Sequence, residues 1–190
     1  TSSVVISPST SQTFTLNGTN FVSIPIVEFI ASTGAITRAT TVSFTSSTAL
    51  SVTTNLASGS YFIRVENNDG NAVRSTNAIL TASTSPTWST AAGSLGTFAG
   101  DTSGTLATVS ASSDSSITYS VTSGQSDLTS AGVSLNPSTG ALTTSDFGGS
   151  STTAATYSFT ITATDAEGQT AARAFSLSSS FGATGGGQFS

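Results

Sequence analysis

The sequence of 190 residues contains no cysteine, no methionine, no histidine and no lysine. The lack of histidine excludes a Ser-His-Asp triad and imidazole metal ligands. The lack of cysteine excludes disulfides, thiolate nucleophiles and zinc-thiolate sites. Without lysine there is no Schiff base and no P-loop. These absences predict that the protein is not an enzyme and uses no cofactor.

Charge of either sign is also scarce, because only 7% of the residues are charged. Nine acidic residues against four arginines give a formal net charge of -5. Phosphate backbones attract basic proteins, so we expect no nucleic-acid partner. The longest apolar runs have about four to five residues, far below the ~20 that cross a bilayer, and we expect no membrane insertion.

What the sequence does contain is apolar and polar residues that alternate with period two, a pattern that predicts strands with one buried face. The clearest run covers residues 157–165, where Tyr157, Phe159, Ile161 and Ala163 share one face. Residues 26–30 and 61–66 alternate in the same way. Serine, threonine, valine and glycine favour strands and turns over helices, and no segment shows a clear helical period.

Turn sequences separate these runs. Asn67–Asn71, with its Asp-Gly pair, predicts a hairpin, and residues 136–140 and 165–168 predict two further turns. About seven short strands precede residue 82 and about seven or eight follow it, a spacing typical of antiparallel sandwiches. The sequence therefore predicts an all-β protein with two tandem antiparallel β-sandwiches.

The predicted domain boundary is the polar segment Ser83-Thr84-Ser85-Pro86, whose proline cannot donate to a sheet ladder. We expect a first sandwich at residues 1–82, a linker at 83–86, a second sandwich at 87–181, and a glycine-rich tail at 182–190. Trp88, the single tryptophan, lies near the start of the second domain and is expected to pack in a core or between domains.

The first half resembles the IPT/TIG immunoglobulin-like family. The resemblance depends on Ile6-Ser-Pro8, Phe14-Thr-Leu-Asn-Gly-Thr-Asn-Phe21, Ile26-Val-Glu-Phe29 and residues 59–70. The family's usual proline and paired glycines after the first strand are replaced here by Ser9-Thr-Ser-Gln12. The resemblance implies an immunoglobulin-like sandwich.

The second half resembles cadherin-related, He_PIG-like immunoglobulin modules, which occur in tandem on bacterial surface proteins and phage structural proteins. The matching segments are residues 117–124, 132–140, 156–168 and 173–177. The family's usual Gly-Thr-Pro after the hairpin is replaced by Thr143-Thr-Ser-Asp-Phe147. Together the two resemblances imply tandem immunoglobulin-like domains and specify fold better than function.

Carboxylates are the only candidates for a metal site. Cadherin-like modules hold calcium with acids near turns, and calcium takes six to eight oxygen ligands. Asp165 and Glu167 flank one turn, and Glu66 and Asp69 flank another. These acids are sparse, so we expect solvated turn residues and no metal. Asn17-Gly18-Thr19 matches an N-glycosylation acceptor but is also an ordinary turn, the interpretation we favour.

The tail is the candidate assembly segment. Phe181 and Phe189 flank Gly185-Gly186-Gly187, and we expect these residues to contact a neighbouring subunit. The expected partners are further copies or other structural subunits, with a host-surface glycan as an additional partner to test. The leading hypothesis is a non-enzymatic phage virion protein at the virion surface. The alternatives are an extracellular bacterial adhesin or filament subunit, and a carbohydrate-binding appendage of a secreted enzyme.

Overall fold

The computed structural model describes residues 3–148 and 154–180. The chain divides into two compact units, Thr1–Thr84 and Ser85–Ser190. The division lies within the segment 83–86. In the described residues the secondary structure is almost entirely β, which confirms the predicted fold class. None of the described residues belongs to a helix that could cross a membrane.

The described residues of unit 1 form nine strands in two facing sheets. One sheet has the order β1-β9-β7-β3-β4, with β8 also paired to β7, and the other has the order β2-β6-β5. The strands are β1 Val4–Ile6, β2 Gln12–Asn17, β3 Ile26–Ala31, β4 Ile36–Arg38, β5 Thr41–Ser46, β6 Ala49–Thr54, β7 Gly59–Glu66, β8 Ala72–Arg74 and β9 Leu80–Ala82.

Unit 2 also contains nine strands among its described residues, with a four-stranded sheet β11-β18-β17-β14, a three-stranded sheet β12-β16-β15 and a short pair β10-β13. The strands are β10 Thr87–Trp88, β11 Gly93–Ala99, β12 Gly104–Thr108, β13 Ala111–Ser112, β14 Ile117–Ser123, β15 Val133–Leu135, β16 Ala141–Thr144, β17 Ala155–Asp165 and β18 Thr170–Ser180.

Each unit has its own hydrophobic core, built from the inward positions of the alternating strands. In unit 1, Phe29, Leu50 and Leu80 have no exposed surface. In unit 2, Phe147 and Ile161 are equally buried. Trp88 belongs to the core of unit 2, where its ring lies 5.3 Å from Phe175 and 5.8 Å from Tyr119, as expected for a residue at the start of that domain.

The predicted turns are confirmed. Asn67 donates its backbone N–H to the Asn71 carbonyl between β7 and β8, and Gly70 has the φ of 87° that this hairpin needs. The turn at residues 136–140 joins β15 to β16, and the turn at residues 165–168 joins β17 to β18.

Three features differ from the expected pattern or add to it. A six-residue helix, α1, covers Gln125–Ser130 and buries Leu128, although no helical period indicates it. The described residues of each unit form nine strands, whereas about seven were expected in the first half and about seven or eight in the second. In unit 1 the run after residue 71 divides into β8 and β9, which both pair with β7. The first strand of each unit's larger sheet pairs in parallel with the last, β1 with β9 and β11 with β18.

Candidate functional site

The outward face of the larger sheet in unit 1 carries almost all of the charge of that unit. The strand register aligns Arg38 with Glu28, Glu28 with Arg64, and Arg64 with Arg74 in one row across β4, β3, β7 and β8. Glu66 stands in the next row, opposite Ile26. We call this surface the arginine face; its members are Ile26, Glu28, Ile30, Ile36, Arg38, Phe62, Arg64, Glu66 and Arg74.

An ion-paired triad occupies the centre of the arginine face. The Nη1 of Arg64 lies 2.8 Å from Oε2 of Glu28, and its Nη2 contacts Oε2 of Glu66. These hydrogen bonds, first to Glu66 and then to Glu28, raise the pKa of Arg64 above its ordinary value. The triad is half-exposed, with 32% of the Arg64 side chain accessible, so it adds little stability by itself.

Two arginines flank this triad without an ion pair. Arg74 is exposed, and its guanidinium carbon lies 4.6 Å from the centre of the Phe62 ring, within cation-π range. Arg38 is exposed at the sheet edge on β4. Within the described residues, neither guanidinium has an ion pair or a hydrogen bond. Both guanidinium groups therefore have N–H donors that no described residue uses.

Exposed isoleucines lie beside these charges. Ile36 is 61% exposed and Ile26 is 37% exposed. Ile30, which pairs with both Ile36 and Phe62 across the sheet, is partly buried. Arginine beside apolar and aromatic side chains is the composition that protein interfaces favour.

The corresponding sheet of unit 2 has an outward face of a different kind. Its outward positions on β14, β17 and β18 hold hydroxyl or methyl side chains and no charge. Thr122 and Thr162 hydrogen-bond through their hydroxyls at 2.9 Å, and Thr156 and Ser178 do so at 3.1 Å. We call this surface the hydroxyl face; its members are Thr118, Ser120, Thr122, Thr156, Ser158, Thr160, Thr162, Thr164, Thr170, Ala172, Ala174, Ser176 and Ser178.

An open depression of about 370 Å³ is lined partly by Ser158, Thr160 and Ser176 of the hydroxyl face. Its two aromatic neighbours, Phe159 and Phe175, are each only 3% exposed, because they belong to the core beneath. Sugar recognition by stacking needs an exposed aromatic ring. The depression therefore offers hydroxyl contacts but no stacking platform.

The structure places the calcium candidates Asp165 and Glu167 at the β17–β18 turn. The expectation of a solvated turn residue is wrong for Asp165, which is only 5% exposed. Its carboxylate accepts hydrogen bonds from the Gln169 backbone N–H at 2.7 Å and from Ser113 Oγ at 3.5 Å. Glu167 accepts a hydrogen bond from Ser115 Oγ. Both carboxylates thus tie the β13–β14 connection to the turn.

The other two calcium candidates lie at the β7–β8 hairpin. Glu66 pairs with Arg64 in the triad. Asp69 accepts hydrogen bonds from the Asn71 backbone N–H at 3.0 Å and from its Nδ2 at 2.9 Å, and these bonds lower the pKa of Asp69 below its ordinary value of 3.8. Within residues 3–148 and 154–180, no group of three or more acidic side chains could hold a metal ion.

Two acids that the sequence pattern does not single out stand at one end of unit 2. Asp101 and Asp146 are exposed, and the chain segments that carry them are joined by the bond from the Asp101 N–H to the Phe147 carbonyl, at 3.2 Å. Neither carboxylate accepts a hydrogen bond from any described residue. The assembly candidates Phe181, Gly185, Gly186, Gly187 and Phe189 lie outside the described residues.

No protein-family model matches the chain, and a comparison with curated protein sequences finds no match. The IPT/TIG-like and He_PIG-like resemblances therefore have no support from these comparisons. Comparison with solved structures gives cadherin ectodomain repeats and the titin domains z1z2.

Among the similar structures are mouse cadherin-23 EC22-24 (14% identity, TM-score 0.43) and the human desmocollin-1 ectodomain (11% identity, TM-score 0.45). Each match covers 94% of this chain, and they cover 62% and 38% of those chains, respectively. This chain thus spans less than two thirds of either one. At these identities and TM-scores, nothing about function follows from the similarity.

Proposed function

We propose that this chain is a non-enzymatic structural protein of a phage virion, a head decoration, tail or fibre component that assembles in multiple copies. In this proposal, an IPT/TIG-like module and a cadherin-related module are rigid bodies that present their sheet faces to other subunits. The role is mechanical, since each sandwich keeps its own core and uses its surface for contact.

The arginine face carries this proposal. It extends over four strands and joins an ion-paired triad, two arginines without ion pairs and exposed isoleucines on one regular surface. A sheet face of this kind suits a flat protein partner better than a small substrate, which is normally bound in a concave pocket. The carboxylates considered as metal ligands are engaged in turns and in the triad, where they stabilise local structure.

Immunogold electron microscopy with an antibody against this chain tests the proposal. Phage particles and uninfected cells of the same host should be labelled in parallel, with pre-immune serum as the control. Label on particle heads, tails or fibres is the expected result. Label confined to the envelope or filaments of uninfected cells would contradict it and favour a bacterial adhesin or filament subunit.

A carbohydrate-binding appendage has less support. The depression on the hydroxyl face lacks an exposed aromatic ring, and Phe44, the aromatic residue that is 41% exposed, lies on β5 of unit 1. A glycan array tests this function. Binding by the wild type that is lost when Ser158 and Thr160 are replaced by alanine would support a carbohydrate-binding role.

A further inference from the structure

We propose that the arginine face of one copy binds the end of unit 2 that carries Asp101 and Asp146 in a second copy. We call that region the aspartate end; its members are Asp101 and Asp146. The inference rests on the proposed function, in that it names the contact through which multiple copies would assemble. Its basis is the distribution of charge between the two units.

The two units differ sharply in net charge. Unit 1 has three arginines and three acids, whereas unit 2 has one arginine and six acids. Unit 1 is therefore neutral, and unit 2 carries the whole net charge of -5. All thirteen charged side chains lie in the described residues. A second copy thus offers an acidic surface to the arginines of the first.

Most of these charged groups already have partners within their own unit. In unit 1, the triad occupies Glu28, Arg64 and Glu66, and Asn71 binds Asp69. In unit 2, Arg173 donates to the Thr90 carbonyl at 2.6 Å, and the other engaged side chains are Asp114, Asp127, Asp165 and Glu167.

Four charged side chains remain without an ion pair or hydrogen bond to any described residue: Arg38, Arg74, Asp101 and Asp146. They form two groups of equal size and opposite sign. Both arginines are on one face of unit 1, and both aspartates are at one end of unit 2. This match in number, sign and grouping is what selects the aspartate end as the partner.

The aspartate end is well placed for contact with another molecule. It lies at the end of unit 2 where Ala99 pairs with Ser180. The start of the unit is at the opposite end, where Trp88 Nε1 donates a hydrogen bond to the Ala171 carbonyl. Asp101 has a φ of 70°, a left-handed conformation that aspartate tolerates at turns. Its carboxylate is therefore held at a tight turn, exposed to solvent.

The arginine face can receive two carboxylates. Arg38 and Arg74 stand three strand spacings apart, about 14 Å between backbones, and long arginine side chains can converge from that distance. Guanidinium groups bind carboxylates with two parallel hydrogen bonds, which gives the contact orientation as well as attraction. Ile36 and Ile26 supply apolar area beside the arginines.

The face is built from six residues of β3, eight of β7 and three each of β4 and β8. At the usual strand spacings it measures roughly 300 Å², which is small for a protein contact. Each contact is therefore weak, and assembly needs many copies. Because the two surfaces are different, the contact is head-to-tail, and it generates rings or open chains rather than a closed symmetric dimer.

Sedimentation velocity of the full chain at about 10 μM to 1 mM tests the contact. We expect concentration-dependent association in 20 mM salt and its loss in 1 M salt, where charges are screened beyond about 3 Å. The variant Arg38→Gln/Arg74→Gln should weaken association more than tenfold. The matched control Thr15→Glu/Ser43→Glu makes the same change in net charge on the other sheet of unit 1 and should associate as the wild type does.

Charge exchange gives the sharper test. Arg38→Glu/Arg74→Glu and Asp101→Arg/Asp146→Arg should each abolish self-association, while their equimolar mixture should restore it. Circular dichroism confirms that each variant is folded. The inference is overturned if the wild type stays monomeric throughout, if the Thr15/Ser43 control weakens association equally, or if the mixture does not associate.

These outcomes are separable from the outcome for the proposed function. Gold label on virions together with a monomeric isolated chain would reject this contact and leave the virion role intact. Label on uninfected cells together with restored association in the mixture would reject the virion role and keep the contact.

Discussion

In both units, inward and outward side chains alternate along the strands, but the outward sheet faces differ in composition. In unit 1, β3 and β7 alternate buried side chains with Glu28, Arg64 and Glu66. In unit 2, β14 and β17 alternate buried side chains with serine and threonine, and the acids are placed in turns, in α1 and at strand ends. The inward half of the alternation thus determines the fold, while the outward half is available for function.

The largest expected difference concerns the two separate cores. Phe29→Ala should destabilise unit 1 by about 3–5 kcal/mol, and Phe147→Ala should destabilise unit 2 by a similar amount, because both rings are fully buried. Trp88 lies in the core of unit 2, so its fluorescence follows that unit, whereas circular dichroism follows both.

Phe29→Ala should therefore shift part of the dichroism transition and leave the Trp88 transition in place. Phe44→Ala is the control, because Phe44 is 41% exposed. Equal shifts of both signals in Phe29→Ala would show that the units unfold together, and the comparison of two independent cores would fail.

A smaller difference is expected in the loss of stability when different turn glycines are replaced by alanine. Gly140 has a φ of 70°, and a Cβ there would lie 2.2 Å from the Val109 carbonyl oxygen. Gly70 in unit 1 and Gly168 in unit 2 have similar φ values with no atom within 4 Å of a Cβ. Gly70→Ala and Gly168→Ala should each cost about 1–2 kcal/mol from backbone strain alone.

Gly140→Ala should cost at least twice as much as Gly168→Ala in chemical denaturation followed by Trp88 fluorescence. Gly70→Ala should shift part of the dichroism transition, because it destabilises unit 1, and should leave the Trp88 fluorescence transition unchanged. If Gly140→Ala is no less stable than Gly168→Ala, the β15–β16 turn can move away from Val109 at little cost, and the close packing at Gly140 does not limit substitution.

The smallest expected effect is a pH dependence of the stability of unit 1. The pKa of Asp69 is lowered by the Asn71 hydrogen bonds, so its carboxylate stabilises the hairpin above pH 3.8, and that contribution is lost as pH falls through the lowered pKa. Wild type should exceed Asp69→Asn in stability at pH 6, and the difference should shrink below pH 3.8.

Denaturation followed by dichroism at several pH values measures this difference. Asn71→Ala should reduce it, since the side-chain hydrogen bond is removed while the backbone bond remains. A gap between wild type and Asp69→Asn that stays constant from pH 6 to pH 2 would show that the charge of Asp69 does not act on the fold.

Sequence reasoning predicts the parts of the fold that depend on neighbouring residues. The β17 strand follows from the alternation of Tyr157, Phe159 and Ile161, and the β7–β8 hairpin follows from Asp69-Gly70. The helix α1 does not follow, because its six residues contain a single apolar side chain, Leu128, too few to show a period. It begins after Gly124, whose φ of 74° is not visible in the sequence.

The arginine face could not be predicted from the sequence, because it depends on how the strands pair. Alternation places Glu28 and Arg64 on outward positions of their own strands, but they lie 36 residues apart. Only the pairing of β3 with β7, and of β7 with β8, brings them into one row with Arg74. Register of this kind depends on long-range contacts, which a local pattern does not encode. Likewise, only the folded structure shows that Arg38, Arg74, Asp101 and Asp146 make no ion pair or hydrogen bond with any described residue.

The parallel pairing of the first and last strands in each unit's larger sheet has a mechanical consequence. When tension acts along such a pair, the two parallel strands must slide past each other, and their evenly spaced hydrogen bonds bear the load together rather than opening one at a time. Three residue pairs join β1 to β9, and five join β11 to β18. Under tension, unit 1 should therefore yield at a lower force than unit 2.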